Sequence, residues 1–437
     1  MKFSLFQIPV TAVLLAATLH AEPWTLDRAL QVAQENSPDA LVAQARLAGA
    51  QALVEQAQSA WLPQVMLSGR YTQTNSPMLA FGSILNQRAF NFGLDFNHPG
   101  RIDNLNATGT VAYNVYSGGR ATAGRAAAKA GARAAEYDLR SARLQLGTGV
   151  VRAYLGIRKA REAVVAVEAG ARAYEAAVSN ARLRFDAGQM LRADLLSLEV
   201  QLAQTRESLV AARHGAVLAD HAFLFALGLE PSGSPIELAP HDPSLALLTA
   251  PSTGDFLQRP ELFGLNERLL AAEAMVTAAR GARRPTVNAF ANYEYNQGWK
   301  FDRHADSWLA GVSVYISVFD GGQASGRLHQ ALAEVAQLKQ ILRQATLGIN
   351  LEVEQARHAH ANARERLAVS ASAVAQAEES AALSRARFEQ GALLASDLIG
   401  VEGRLIETRM RRTVAEADEL ISLADLRRAV GLAPLNP

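Results

Sequence analysis

From Leu146 to Phe185 an apolar or small residue recurs at alternating spacings of four and three: Leu146, Val150, Ala153, Ile157, Ala160, Val164, Val167, Ala171, Tyr174, Val178, Ala181 and Phe185. After a short break the rhythm resumes at Leu195, Leu198, Leu202 and Thr205 and runs on to Ala226. Such a seam belongs to coiled-coil packing, and its many alanines let helices approach closely. Taken back to Arg120, the first stretch predicts a helix of about 100 Å. No compact domain covers a helix that long. Its stripe must be buried against other long helices, of this chain and of neighbouring copies.

Elsewhere the period drops to two. In 106–116, Ala107, Gly109, Val111, Tyr113 and Val115 share one face, and Asn106, Thr108, Thr110, Ala112 and Asn114 share the other. The stretch 308–319 does the same, with Trp308, Ala310, Val312, Val314, Ile316 and Val318 opposing Leu309, Gly311, Ser313, Tyr315 and Ser317. Partner strands are predicted at about 65–73 and 286–295. About ten residues with one apolar and one small or polar face is the pattern of an outer-membrane strand. A soluble antiparallel sheet with one wet face has the same pattern.

These elements occur twice. RFDAGQMLRADLLSLEVQLAQTR (184–206) and RFEQGALLASDLIGVEGRLIETR (387–409) are identical at ten of 23 positions, offset by 203, and YSGGR (116–120) answers FDGGQ (319–323) at the same offset. Upstream, Pro38/Pro260, Arg46/Arg268, Val54/Val276 and Pro63/Pro285 match at an offset of 222. The chain therefore reads as a tandem duplication. Its first copy carries 19 extra residues between the proline and the Gly-Gly pair. The expected organisation is a first repeat over 22–228, with a strand hairpin near 64–118 and a helical tip near 184–194. A proline-rich linker over 229–258 follows. The second repeat covers 259–437, with a hairpin near 286–320 and a tip near 387–397. The enlarged loop, 76–105, is rich in aromatics and asparagine and reads as an extracellular loop folding over the sheet's outer end. Trp299 and Trp308 are expected near that end, in an interfacial aromatic belt or in a buried structural role.

Composition removes several function classes. With 43 basic and 42 acidic side chains, the net charge of +1 gives no electrostatic reason for a nucleic-acid partner. The absence of cysteine rules out disulfides and cysteine-ligated metal. GGRATAGR (118–125) lacks the lysine of a phosphate-binding loop. His358 and His360 are two apart on a helix and share no face, and His214 and His221 lack a third ligand. No catalytic residue, metal site or cofactor is expected, so an enzyme is the weakest reading. Residues 1–21 pair Lys2 with a short apolar run and read as a secretory signal peptide cleaved near Ala21. No later segment has the roughly 18 uninterrupted apolar residues of a membrane-spanning helix. Any membrane crossing must use strands.

Two repeats supply four strands. A sheet in lipid must close on itself, and four strands do not close. The strands must be pooled between copies: two chains give eight, and three give twelve with room for a channel. Long helices continuing such a barrel make a conduit.

TLDRALQVAQENSPD (25–39), the proline-to-Gly-Gly hairpins and both RF-x-x-G-x-x-x-x-x-D-L phrases resemble the TolC-like outer-membrane efflux proteins, over essentially the whole mature chain. The resemblance implies a mixed fold: a homotrimeric, twelve-stranded outer-membrane β-barrel continuous with a periplasmic α-helical coiled-coil barrel. Gly118, Gly119, Gly321 and Gly322 would form the barrel-to-helix corners. It implies the exit duct of a tripartite efflux or type I secretion system. The expected partners are outer-membrane lipid, a periplasmic adaptor (membrane fusion) protein and an inner-membrane pump of the RND or ABC type. It places both RF turns at the periplasmic tip, with Arg184, Phe185, Gly188, Arg387, Gly391 and Leu394 meeting the adaptor. Asp194, Asp397, Arg192 and Phe388 would lie at the pore constriction.

Residue chemistry gives these positions roles of its own. Gly188 and Gly391 suit left-handed helix ends. Asp194 and Asp397 suit helix starts, as caps or dipole partners. A ring of Asp397 carboxylates drawing cations is the functional alternative. Two positions depart from the family pattern: Gly400 stands where relatives carry a second aspartate, and Leu393 where some carry an arginine. The closed tip is then expected to rest on Phe185, Phe388, Met190, Leu191 and Leu394. A trimeric adhesin or autotransporter and a periplasmic coiled-coil scaffold remain as rivals. The first would gather its four strands at the C-terminus, and the second would fractionate as a soluble protein.

Overall fold

The computed structural model describes residues 23–95, 97–231, 236–251 and 258–435. The predicted signal segment lies outside them. Each repeat opens with a helix of 22 residues, α2 (Pro38–Ser59) or α6 (Pro260–Gly281), the first preceded by α1 (Leu26–Asn36). Each then forms two strands: β1 (Gln64–Thr74) and β2 (Ile102–Tyr116), or β3 (Thr286–Gly298) and β4 (Arg303–Tyr315). Between β1 and β2 lies a short helix, α3 (Pro77–Asn86). A helix of 67 residues follows in each half, α4 (Arg120–Asp186) or α7 (Gln323–Glu389). A return helix of 36 or 35 residues, α5 (Arg192–Leu227) or α8 (Ala395–Ala429), completes the repeat.

The strands form one antiparallel sheet in the order β1-β2-β3-β4, so the two hairpins meet along β2 and β3. β1 and β4 are open edges. The heptad seam packs as its spacing requires: Val150, Ile157, Val167, Ala171, Tyr174, Val178 and Ala181 are all buried, against α5 and α8. Gly170 lies where a side chain would overlap Ile406, so α4 and α8 come close at that level. Among the described residues no helix is long and apolar enough to cross a membrane.

The two largest buried clusters among the described residues hold the helices together. One gathers α1, the middle of α4, the end of α5 and Leu423–Ala424 of α8, with Ile236 and Leu248 from the linker. The linker runs beside the start of the chain: Trp24 donates to the Glu237 carbonyl at 2.7 Å, and Ala239 donates back to Trp24 at 2.9 Å. The buried Arg259 ties α6 to α7 and α8, donating to Glu261 and Glu352 at 2.9 Å and to the Ala429 carbonyl at 3.1 Å. The second cluster joins Tyr174, Val178 and Ala181 of α4 to Leu195, Leu198 and Leu202 of α5, Phe388 of α7 and Leu398 of α8.

Three expectations change. The fourth strand covers 303–315 rather than 308–319. Its last rung pairs Tyr315 with Thr286, because β3 starts just after Pro285, which has no N–H to offer. At its other end a four-residue turn carries the pairing through polar His304 and Asp306, which no apolar alternation marks. Trp308 therefore lies inside the strand, directly opposite Tyr293. Finally, the 76–105 segment is not all loop, since it contains α3 and the first rungs of β2.

Candidate functional site

Register fixes which strand residues share a face. Asn106 pairs with Asn296 and Asn296 with Ala305, so these three point the same way as Thr108, Thr110, Asn292 and Ser307. That face is small and polar. The opposite face carries Leu67, Tyr293 and Trp308 in one row across the sheet, with Val111, Val312 and Val314 nearer the helices and Tyr71 nearer the hairpin turn, and it is largely exposed in the single chain. Leu67 is 83% exposed and Trp308 78% exposed, an arrangement that suits lipid rather than water. Trp299 packs edge-on against Tyr71 at 5.7 Å, beyond the end of β3.

The corners where β2 and β4 hand over to α4 and α7 are built alike. Gly118 and Gly119 have φ of 70° and 86°, and Gly321 and Gly322 have 66° and 90°, backbone that a side chain would strain. The Ser117 hydroxyl accepts the Ala121 N–H at 3.0 Å. Its counterpart Asp320, offset by 203, accepts the N–H groups of Gly322 and Ala324 at 3.0 and 2.8 Å. The Ala324 bond is the main reason the Asp320 carboxyl is held below its ordinary range. A Cβ on Gly118 would strike the Gly281 carbonyl at 2.5 Å, so α6 and the first corner touch backbone to backbone.

At the far ends of α4 and α7 the two RF turns are the same motif. Gly188 donates to the Phe185 carbonyl at 2.9 Å and Gln189 to that of Arg184 at 2.8 Å. Gly391 and Ala392 repeat this on Phe388 and Arg387, at 3.0 and 2.8 Å. Both glycines are left-handed, with φ of 72° and 76°, so each turn is a Schellman stop. Asp194 and Asp397 are each the third residue of the following helix. No cap hydrogen bond from a side chain closes either helix start, since leucines, Leu191 and Leu394, stand at both cap positions. The carboxylates thus face the helix dipole without capping it. Asp397 and Arg192 are exposed, and Asp194 is half-buried.

Phe388, expected at the constriction, is instead 2% exposed inside the subunit, whereas Phe185 is 36% exposed. Leu191 and Leu394 are exposed, while Met190 and Leu393 pack on the tip cluster. Arg184 and Arg387 also part company: Arg184 donates from Nη1 to the Phe388 carbonyl at 3.0 Å, and Arg387 is exposed.

Ion pairs that the motif did not announce brace both hairpins. Arg182–Glu199 at 2.5 Å recurs as Arg385–Glu402 at 2.5 Å, and Glu175–Arg206 at 2.9 Å recurs as Glu378–Arg409 at 2.7 Å. All four pairs respect the offset of 203. Tyr174, whose hydroxyl donates to the Ile399 carbonyl at 3.0 Å, has its pKa pushed up to about 12, by burial and then by the Glu402 carboxylate.

Residues 29–229 and 257–432 match the family model described as outer membrane efflux protein, one segment per repeat. The chain belongs to that family. Among relatives it is 25% identical to the pyoverdine export outer membrane protein OpmQ of Pseudomonas aeruginosa, over 93% of this chain and 84% of that one. It is 28% identical to the protein CyaE of Bordetella pertussis, over 75% and 67%. Among solved structures it superposes on the outer-membrane channel OprN with a TM-score of 0.78 at 21% identity, covering 94% of this chain and 90% of that one. On CusC the score is 0.79 at 17%, covering 94% and 92%. The fold is therefore that of one subunit of a TolC-like channel, with β1–β4 in the outer membrane and the long helices in the periplasm. The small polar strand face is the lumenal one.

Proposed function

We propose that this protein is the passive exit duct of a tripartite export system, working as a homotrimer. One observation carries the reading. A four-stranded sheet with a lipid-compatible outer face and two open edges continues into two helices of 67 residues. Open edges in lipid leave backbone groups unsatisfied, and twelve strands from three copies close the sheet around a channel. The helices then form a tube roughly 100 Å long below it. The RF turns at its far end are the docking surface for a periplasmic adaptor, through Arg184, Phe185, Gly188, Arg387, Gly391 and Leu394. That adaptor links the tube to an inner-membrane pump of the RND or ABC type. Asp194, Asp397 and Arg192 line the constriction there, with Phe388 supporting it from inside the subunit. The corner glycines let the chain pass from barrel to tube.

Membrane fractionation with native mass measurement tests this. The mature protein should appear in the outer membrane at three times its chain mass and conduct ions in a planar bilayer. A soluble monomer sinks the reading.

A further inference from the structure

The segment that enlarges the first repeat contains the ten-residue helix α3, which lies on the lumenal side of the sheet. Ala80 and Ile84 of α3 are buried on Ile102, which shares the lumenal face with Asn104 and Asn106. Gln87, fully buried just beyond the helix, donates from Nε2 to the Asp103 carbonyl at 2.7 Å and to Asn104 Oδ1 at 2.9 Å. Asn104 in turn donates to Asn296 Oδ1 at 2.9 Å, which bridges to β3. A Cβ on Gly298 would overlap the Gln87 amide, so only glycine there leaves the seat open. Gln87 Oε1 has no hydrogen-bond partner among the described residues. The seat is specific but incompletely satisfied, as suits an element that must leave it.

The other side of α3 is apolar too. At about 100° per residue, Met78, Gly82 and Leu85 lie opposite Ala80 and Ile84. Met78 is 80% exposed and Leu85 45% exposed in the single chain. A helix apolar all round is a buried helix. Here its free side points away from the wall, toward the barrel axis, where lipid does not reach. Twelve strands about 4.8 Å apart and tilted about 40° make a cylinder about 24 Å across from backbone to backbone, and the free bore inside it is narrower. Three rods each about 10 Å across, seated on that wall, leave no open path between them and touch.

We propose that α3 is an outer gate. In the trimer its three copies meet on the axis through Met78, Gly82 and Leu85 and close the barrel mouth with an apolar constriction. The occupant of each exposed α3 face is thus the same face of the other two copies, continuous with the barrel interface. An apolar constriction narrow enough to dewet stops ions and polar solutes from outside. Cargo arriving from the tube displaces α3 from its Gln87 seat. The proposal rests on the trimeric duct reading.

The cysteine-free chain makes the test direct. Met78→Cys should give an oxidised dimer band between subunits in intact cells. Ser68→Cys, on the lumenal wall below α3, should react slowly with a maleimide too large for general porins, added outside. Adding Gly298→Leu, which unseats Gln87, should speed that reaction at least ten-fold. Leu85→Asp, which wets the constriction and leaves the seat alone, should do the same. An intact trimer in which Met78→Cys and Gly82→Cys form no band and Ser68→Cys reacts at the same rate with and without Leu85→Asp overturns the gate alone. A protein that is not trimeric overturns the duct reading and the gate with it.

Discussion

Arg184 of the first repeat reaches Phe388 of the second, donating to its carbonyl at 3.0 Å with the guanidinium 5.5 Å from the ring centroid. The contact joins the two RF turns inside one subunit, and Arg184 Nη2 comes within 3.1 Å of where a Cβ on Gly391 would sit. The repeat-related groups, Arg387, Phe185 and Gly188, do not meet in this way: Arg387 is exposed, Phe185 is 36% exposed, and nothing lies within 4 Å of a Cβ on Gly188. In a trimer of duplicated subunits, each first repeat is followed by a second and then by the first repeat of the next copy. The same contact is then due across the subunit boundary, with Arg387 on Phe185 of the neighbour. A short bis-maleimide on the Arg184→Cys, Phe388→Cys double variant should link within one chain. On the Arg387→Cys, Phe185→Cys variant it should yield covalent dimers and trimers on a denaturing gel. Monomers alone in the second case would defeat the symmetry argument.

The same comparison ranks the ion pairs. Arg385 holds Glu402 with two hydrogen bonds, and Glu402 is 1% exposed, whereas Glu199 in the equivalent pair keeps a side chain 33% exposed. Removing the arginine strands a buried carboxylate in the second repeat but a partly solvated one in the first. Arg385→Ala should cost about 2–3 kcal/mol, below the full cost of a buried pair because Arg385 itself is partly exposed. Arg182→Ala should cost about 0.5–1 kcal/mol. Denaturant melts of the two variants in detergent check the order, and equal losses would contradict it.

What the sequence made legible, and what it hid, follows from the range of each signal. The seam of α4 and the alternation of β2 are local periodicities, and both elements form over the stretches the pattern marks, although β2 starts four residues earlier, at Ile102. Glu199 and Glu402 stood out as repeated letters, but their partners Arg182 and Arg385 lie 17 residues upstream across a helical hairpin. That pairing appears only when the chain folds back at the tip. α3 escaped because PMLAFGSILN is short and apolar on every side, so no stripe marks it. Its seat depends on Asn296, some 190 residues away from the Asn104 and Asn106 amides it accepts. The motif position of Phe388 predicts a place at the pore, yet its neighbours in α4 and α8 bury it.

Acid should loosen the linker end. Burial alone would raise the Asp242 carboxyl, but the Ser244 hydroxyl and the Leu26 N–H, the latter at 2.7 Å, donate to it, with further help from Tyr154 and Ser244 N–H. The net effect holds it below its ordinary 3.8. A carboxyl depressed on folding stabilises the protein above its unfolded pKa, and that contribution disappears as pH falls through the lower folded value. Melting temperature should therefore drop more steeply below about pH 4 in the parent than in Asp242→Asn. The variant should melt lower at neutral pH, having lost the charged acceptor at the start of α1. Parallel pH profiles for the two proteins would remove Asp242 from the account.

Asp397 offers the sharpest test of the constriction. It is exposed, sits in the first turn of α8 and closes no cap hydrogen bond, so its local structural worth is the helix-dipole term of about 0.3–1 kcal/mol. Three such carboxylates around a narrow pore would dominate its selectivity, since fixed charge at a constriction sets which ions enter. In a planar bilayer with a salt gradient, Asp397→Asn should move the reversal potential toward zero by at least half of its parent value. Asp194→Asn, at a half-buried position, should move it less. Salt dependence separates the two roles: a pore-ring effect weakens as ionic strength rises and the Debye length shrinks from about 10 Å at 0.1 M to about 3 Å at 1 M. A reversal potential unchanged in Asp397→Asn, alongside a small loss of thermal stability, would leave the residue with its dipole role alone.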